Sequence, residues 1–147
     1  MFVTDLARRL KSFPETAALR ARVPMRDGSR RMLRTVRVGH HTPPPEIHEG
    51  VPVQVFAGHW NGPIPATDST VGDMAAQLVN YLPGAMVCVA VPTSEARHRC
   101  LDVLGVGLSD NNEEVNGGLV VEIECEMWDA GNALLRVRDD APVAAKE

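Results

Sequence analysis

The stretch GHHTPPPEIHEG, residues 39–50, gathers the side chains best suited to chemistry. His40, His41, Glu46 and His48, with His59 nearby, supply the donors that zinc takes. Their spacing matches no structural zinc pattern, and the three prolines hold the segment stiff and extended. The chain aligns with itself at an offset of 68 residues, and there Leu108, Ser109, Glu114, Asn116 and Met127 stand in their places. No histidine is repeated. The expectation is therefore exposed loop histidines and no bound metal or cofactor; His40, His41, His48 and His59 are the ligands to test. His40 and Thr42 form a His-x-Thr of the kind paired in some phosphodiesterases, but the matching position reads LSD. The sequence has no Walker-type loop, no Gly-x-Ser-x-Gly and no activated Cys–His signature. A non-enzymatic protein is expected, with an enzyme built on the histidines as the catalytic alternative.

The arginines are the second set. Arg20 and Arg22 fall on one predicted strand, Arg34 and Arg37 on the next, and Arg26, Arg30 and Arg31 in the hairpin between them. Together they form a candidate guanidinium face for a phosphate, a nucleotide-like anion or an acidic partner. Glu122, Glu124 and Glu126 alternate along a later strand and form a candidate acidic face. Residues 1–61 hold ten Lys/Arg against five Asp/Glu, whereas residues 69–129 hold two against ten. Three readings follow: solvated faces that partly pair with each other, charge-driven association with another molecule, and anion binding. Nucleic acid is disfavoured by a pI near 5.7 and an aromatic content of 4%.

Cys88, Cys100 and Cys125 are an odd set without metal spacing, all in apolar strand-like runs. Buried, reduced thiols in a cytoplasmic protein are expected. No apolar run approaches the roughly 20 residues of a membrane helix, and MFVTDLARRLKSFP reads as an amphipathic helix rather than a leader.

The elements that position these residues are written twice. From Val3/Val71 to Asn61/Asp129 the offset of 68 gives 15 identities in 59 gapless positions. They include Asp5/Asp73, Leu10/Leu78, Val23-Pro24/Val91-Pro92, Val38-Gly39/Val106-Gly107 and Trp60/Trp128. This is an internal duplication. In the second copy Thr70 caps a helix, Asp73 meets its free N–H groups, and Val71, Met74, Ala75, Leu78 and Leu82 form one face before Pro83-Gly84 ends it. Val3, Leu6, Ala7, Leu10 and Phe13 repeat that face, stopped by Pro14.

Three strands follow in each copy. Leu19, Ala21 and Val23 alternate with Arg20 and Arg22; Val87, Val89 and Val91 alternate with Cys88 and Ala90. The second strand alternates imperfectly, which predicts a bulge. In the third, Val53 and Val55, or Val121 and Ile123, face one way; Gln54, or Glu122 and Glu124, face the other. Pro52 predicts an edge position or an irregular start. Trp60 and Trp128 are expected to anchor the core or the seam between copies.

The expected fold class is α+β: two pseudo-symmetric α-β-β-β repeats packed into one domain over residues 1–129. Repeat 1 spans 2–61, the linker 62–69 and repeat 2 70–129, with a short strand and a flexible tail over 130–147.

TVGDMAAQLVNYLPGAMVCVAV resembles a motif of small proteins of bacteriophages and other mobile elements, carried by Thr70, Val71, Asp73, Leu78 and Pro83. The first copy keeps Val3, Asp5, Leu10 and Pro14 with Phe2 for the threonine. The resemblance covers the helix and first strand of each copy. It implies an accessory factor and brings no catalytic residues. The expected function is a non-enzymatic protein-binding module, with a host factor as a candidate target and self-association through opposite charge as a further expectation. A binder of a nucleotide-like anion through the repeat-1 arginines and a virion structural component are the alternatives.

Overall fold

The computed structural model describes residues 1–40, 53–58, 69–94, 97–109, 114–115 and 118–131. Its elements are α1 (Val3–Leu10), β1 (Ala18–Pro24), β2 (Arg30–His40), β3 (Val53–Ala57), α2 (Val71–Leu78), β4 (Val87–Ser94), β5 (Arg97–Leu108), β6 (Glu114–Val115) and β7 (Gly118–Cys125). A 3-10 turn follows at Trp128–Ala130. The linker up to residue 68, Pro52, Trp60 and the strand expected after Trp128 lie outside the described residues. No described helix is long and apolar enough to cross a membrane.

Local chemistry explains where the helices start and stop. Thr70 accepts from the Asp73 backbone N–H at 3.1 Å, and the Asp73 carboxylate accepts from the Thr70 N–H at 3.3 Å, a complete capping box. At α1 the cap position is Phe2, which offers no side-chain acceptor. Backbone from the other half serves instead: the Val3 N–H donates to the Ala85 carbonyl at 2.8 Å and the Thr4 N–H to the Pro83 carbonyl at 3.1 Å. The exchange is mutual, because the Val71 and Gly72 N–H groups donate to the Ala17 and Glu15 carbonyls, each at 2.9 Å. Two of the orphan donors at each helix start are thereby satisfied. α2 ends at Leu78, well before Pro83-Gly84. Leu82 therefore leaves the helical stripe, and its side chain is 77% exposed rather than packed in the core.

The strands form a mixed α+β fold around a closed barrel. β1 pairs antiparallel with β2, β2 with β3, β4 with β5 and β5 with β7. Parallel pairing joins β3 to β4 and β7 back to β1, so six strands close a ring, and β6 pairs with the start of β7. β3 is thus paired on both sides and is not an edge strand; it begins at Val53, past the proline that suggested an edge. Closure removes the open edges that make β-sheets prone to association.

The registers are specific. Ala21 lies opposite Leu33 in β1–β2, and Val89 opposite Leu101 in β4–β5. Across the parallel seams Val55 lies opposite Val89, and Ala21 opposite Ile123. β2 carries a bulge between Thr35 and Arg37, and β5 one between Val103 and Gly105. Each bulge inserts one residue and so swaps the parity of the strand. Leu33 and Val38, an odd number apart, therefore both face the core, while Val36 at the bulge points outward. Leu101 and Val106, also an odd number apart, both pack on the core across the β5 bulge, while Leu104 is exposed.

One buried cluster joins Leu19, Ala21, Val23, Leu33, Val38, Val53, Val55, Val87, Val89, Val91, Leu101, Val121 and Ile123 to Leu6 and Leu10 of α1 and Met74 and Leu78 of α2. Each such fully buried Val or Leu contributes about 1.5–3 kcal/mol before entropy. Both halves contribute to one core, so neither helix has a separate sheet of its own to cover.

Candidate functional site

Away from that core, the reverse side of the strands carries two seams of different chemistry. At the β1–β7 seam Arg20 lies opposite Glu122 and Arg22 opposite Glu124. An Arg22 Nη1 is 3.5 Å from Glu122 and 3.6 Å from Glu124. Glu122 was expected on a solvent face, yet it is 5% exposed, enclosed at the seam with the Arg22 guanidinium against it. The basic and acidic sets therefore meet within one molecule. Arg34 lies opposite Arg20 on β2. Arg26 reaches from the β1–β2 hairpin to Asp129 at 2.7 Å. Arg30 and Arg31 open β2, opposite Pro24 and Val23. Arg37 stacks its guanidinium 4.1 Å over the Phe56 ring. Glu126 accepts from the Asp102 backbone N–H at 3.0 Å, fastening β7 to β5. The hairpin itself turns through Gly28 at φ +89°, where L side chains are strained. The Ser29 hydroxyl and N–H donate to Asp27, which lowers the pKa of that carboxyl.

The β3–β4 seam is the counterpart, and it holds no ion pair of that kind among the described residues. Gln54 lies opposite Cys88 and Phe56 opposite Ala90, with Cys100 opposite Ala90 on the other side. All three cysteines are free and buried, as expected. Gln54, placed by the alternation on the polar side of β3, is 2% exposed, because small residues and Phe56 close this side too. Its Nε2 donates to the Cys100 Sγ at 3.2 Å, while its Oε1 is buried without a hydrogen-bond partner. The Cys88 thiol also donates to Cys100. Two donors on one sulfur hold the Cys100 pKa down. That same contact, with burial, holds Cys88 well above the ordinary thiol range. Burial, then the nearby carboxylates led by Glu126, raises Cys125. His98, which sequence reasoning passed over, sets its ring edge-on to Phe56 at 5.6 Å.

Of the candidate zinc ligands, His40 ends β2, opposite Val53. His41, His48 and His59 lie outside the described residues. Among the described residues no three His, Cys, Asp or Glu side chains group as a metal site. Trp128 packs half-buried against the core, with the Arg99 guanidinium 4.5 Å over its ring and donating to its carbonyl at 3.0 Å.

The third feature is a recess between the helices. Val3, Thr4, Ala7, Arg8 and Lys11 of the α1 segment form one wall; Leu78, Val79, Tyr81 and Pro83 form the other. Its volume is 410 Å³ and its lining is mostly apolar. The α2 wall is held by β2 at Val38, just past the bulge. The Val38 N–H donates to Gln77 Oε1 at 2.7 Å, and the Tyr81 hydroxyl donates to the Val38 carbonyl at 3.3 Å. Val38 lies beyond the stretch of β2 that pairs with β1, which ends at Arg34, and Gln77 of α2 and Tyr81 after it take up both backbone groups. Sequence reasoning missed this recess; its one signal was apolar Val79 and Leu82 continuing past the true end of α2.

No protein-family model matches the chain, and no curated protein or solved structure matches it either.

Proposed function

We propose that the chain is a non-enzymatic accessory protein of a phage or mobile element that acts by binding another protein, a host factor among the candidate targets. The observation that carries this reading is the apolar recess between α1 and α2, lined by Val79 at 64% exposure, with the exposed Leu82 and Phe2 next in the chain to its lining residues Pro83 and Val3. Water-exposed apolar side chains grouped at a concavity mark interaction sites. The anion-binding alternative is weakened by Arg22, whose guanidinium is committed to Glu122 and Glu124. Affinity purification on the immobilised chain, followed by titration of the captured protein against free chain, tests the proposal. Saturable one-to-one binding supports it. Melting-point gains with nucleotides, without any protein partner, would point to the anion binder.

The scaffold is proposed to consist of two α-β-β-β repeats related by an approximate two-fold. The registers support this: an offset of 68 residues converts β1–β2 into β4–β5 and β2–β3 into β5–β7, with the Thr35/Arg37 bulge falling on Val103/Gly105, and moving β3 forward and β4 back by 68 converts β3–β4 into β7–β1. Co-expression of residues 1–61 and 69–131 as separate chains tests it. Recovery of a one-to-one folded complex is expected, and two halves that remain unfolded together would count against it.

A further inference from the structure

We propose that the α1–α2 recess receives an amphipathic helix of the partner, apolar toward α2 and acidic toward α1. This rests on the protein-binding reading above and specifies its surface and ligand. The two walls differ in kind. The α2 wall offers Leu78, Val79, Tyr81 and Pro83 and no formal charge. The α1 wall offers Arg8 and Lys11, with Arg9 beside them on the helix and Asp5 the one acidic neighbour on α1, held by Arg8 at 2.6 Å. One apolar wall and one cationic wall suit a helix with apolar residues at i, i+3, i+4 and i+7 and carboxylates along one flank. Apolar contact supplies the affinity; charge selects the partner and its orientation.

Charge also argues against a second copy of this chain in the recess. A two-fold dimer through it would bring two sets of Arg8, Arg9 and Lys11 together, a like-charge arrangement that costs stability. A complementary occupant must be acidic. The recess is also set on rigid backing, because Gln77 and Tyr81 tie the α2 segment to Val38, so the wall is formed before any partner arrives.

The test uses a fluorescein-labelled helical peptide with leucines at i, i+3, i+4 and i+7 and glutamates elsewhere, and its counterpart with lysines replacing the glutamates. Fluorescence anisotropy should show saturable binding of the acidic peptide, with the lysine peptide weaker by roughly tenfold or more at low salt. Val79→Asp should abolish binding. Val79 is exposed, so this variant should fold, and an unchanged melting curve checks that it does. The double variant Arg8→Glu, Lys11→Glu should reverse the preference between the two peptides. Equal binding of both peptides, or binding indifferent to Val79→Asp, would overturn the proposal. Self-association abolished by Val79→Asp would overturn it in favour of a second copy. If a captured partner binds Val79→Asp and the charge-reversed variant as it binds the parent, the recess proposal fails while the protein-binding reading stands.

Discussion

Arg22 holds its guanidinium 3.5 Å from the Glu122 carboxylate, across the parallel seam that closes the barrel. The two side chains come from opposite halves of the sequence, and both are largely shielded, at 19% and 7% exposure. Removing Arg22 takes a positive charge from beside a carboxylate that water barely reaches, whereas removing Glu122 leaves Arg22 its contact with Glu124. Arg22→Met is expected to cost about 2–4 kcal/mol. Arg22→Met with Glu122→Gln should cost less than the two changes summed, and urea unfolding of the four species in a double-mutant cycle measures the coupling. Glu124, at 52% exposure, is the weaker partner; Glu124→Gln should change stability by less than about 1 kcal/mol.

The tie between Val38 of β2 and the α2 segment gives a second prediction. Gln77→Leu would leave the Val38 N–H without its acceptor beside a strand residue that is 6% exposed. A loss of about 1–3 kcal/mol is expected, the cost of a buried donor left unmade. Tyr81→Phe removes a longer contact, 3.3 Å, to the Val38 carbonyl and should cost about 1 kcal/mol or less. Hydrogen exchange at Val38 should quicken most in the Gln77 variant.

Helix caps give a third. Thr70→Ala should cost about 1 kcal/mol by breaking the capping box. Phe2→Thr should rebuild that box at α1, because Asp5 already stands where Asp73 stands in α2. Asp5 must give up part of its contact with Arg8, so a gain of about 0.5 kcal/mol is expected. Thermal melting of both variants reads the difference.

The thiols make stability depend on alkaline pH. Cys88 and Cys125 are raised above the ordinary value, so the folded chain keeps protons that the unfolded chain releases near pH 8.5. Their contribution is complete below that pH and declines as pH rises above it. Cys100 is lowered and acts in the opposite sense, adding stability above its unfolded value. Cys88 and Cys100 shift in opposite senses through one shared hydrogen bond, so the net change rests on Cys125, raised by burial. The urea midpoint should therefore fall between roughly pH 8 and 10, with a slope of up to about 1.4 kcal/mol per pH unit for that group. Cys125→Ala should flatten this slope while lowering stability at neutral pH; a slope unchanged in Cys125→Ala would remove Cys125 as a cause.

Much of this fold was legible one element at a time. The Thr70 cap, the alternation at Leu19, Ala21 and Val23, and the irregular spacing that became the two bulges are local signals, and local signals survive in a sequence. Which edges meet is not local. Nothing in the spacing of Arg22 and Glu122 says that β1 and β7 are neighbours, so pairing of the two charged sets with each other stands in the sequence as one of three readings, beside association with another molecule and anion binding. Gln54 misled for a related reason. Alternation reports one buried side of a strand, and in β3 both sides are covered. The recess was hidden because it is shared by α1 and by a turn beyond α2, where Leu82 was counted as helical.

The closing seam also sets an order of events. β1 spans residues 18–24, and the strand that completes its pairing spans 118–125. Contacts this far apart in sequence form slowly, since a long loop must close before the contact rewards it. During synthesis β1 waits with one flank unpaired until nearly all the described chain has emerged. The interval is an opening for misassembly, when a neighbouring nascent chain can offer its own β7 to the waiting strand. The ring that protects the finished protein from edge-to-edge association is thus the last protection the growing chain acquires.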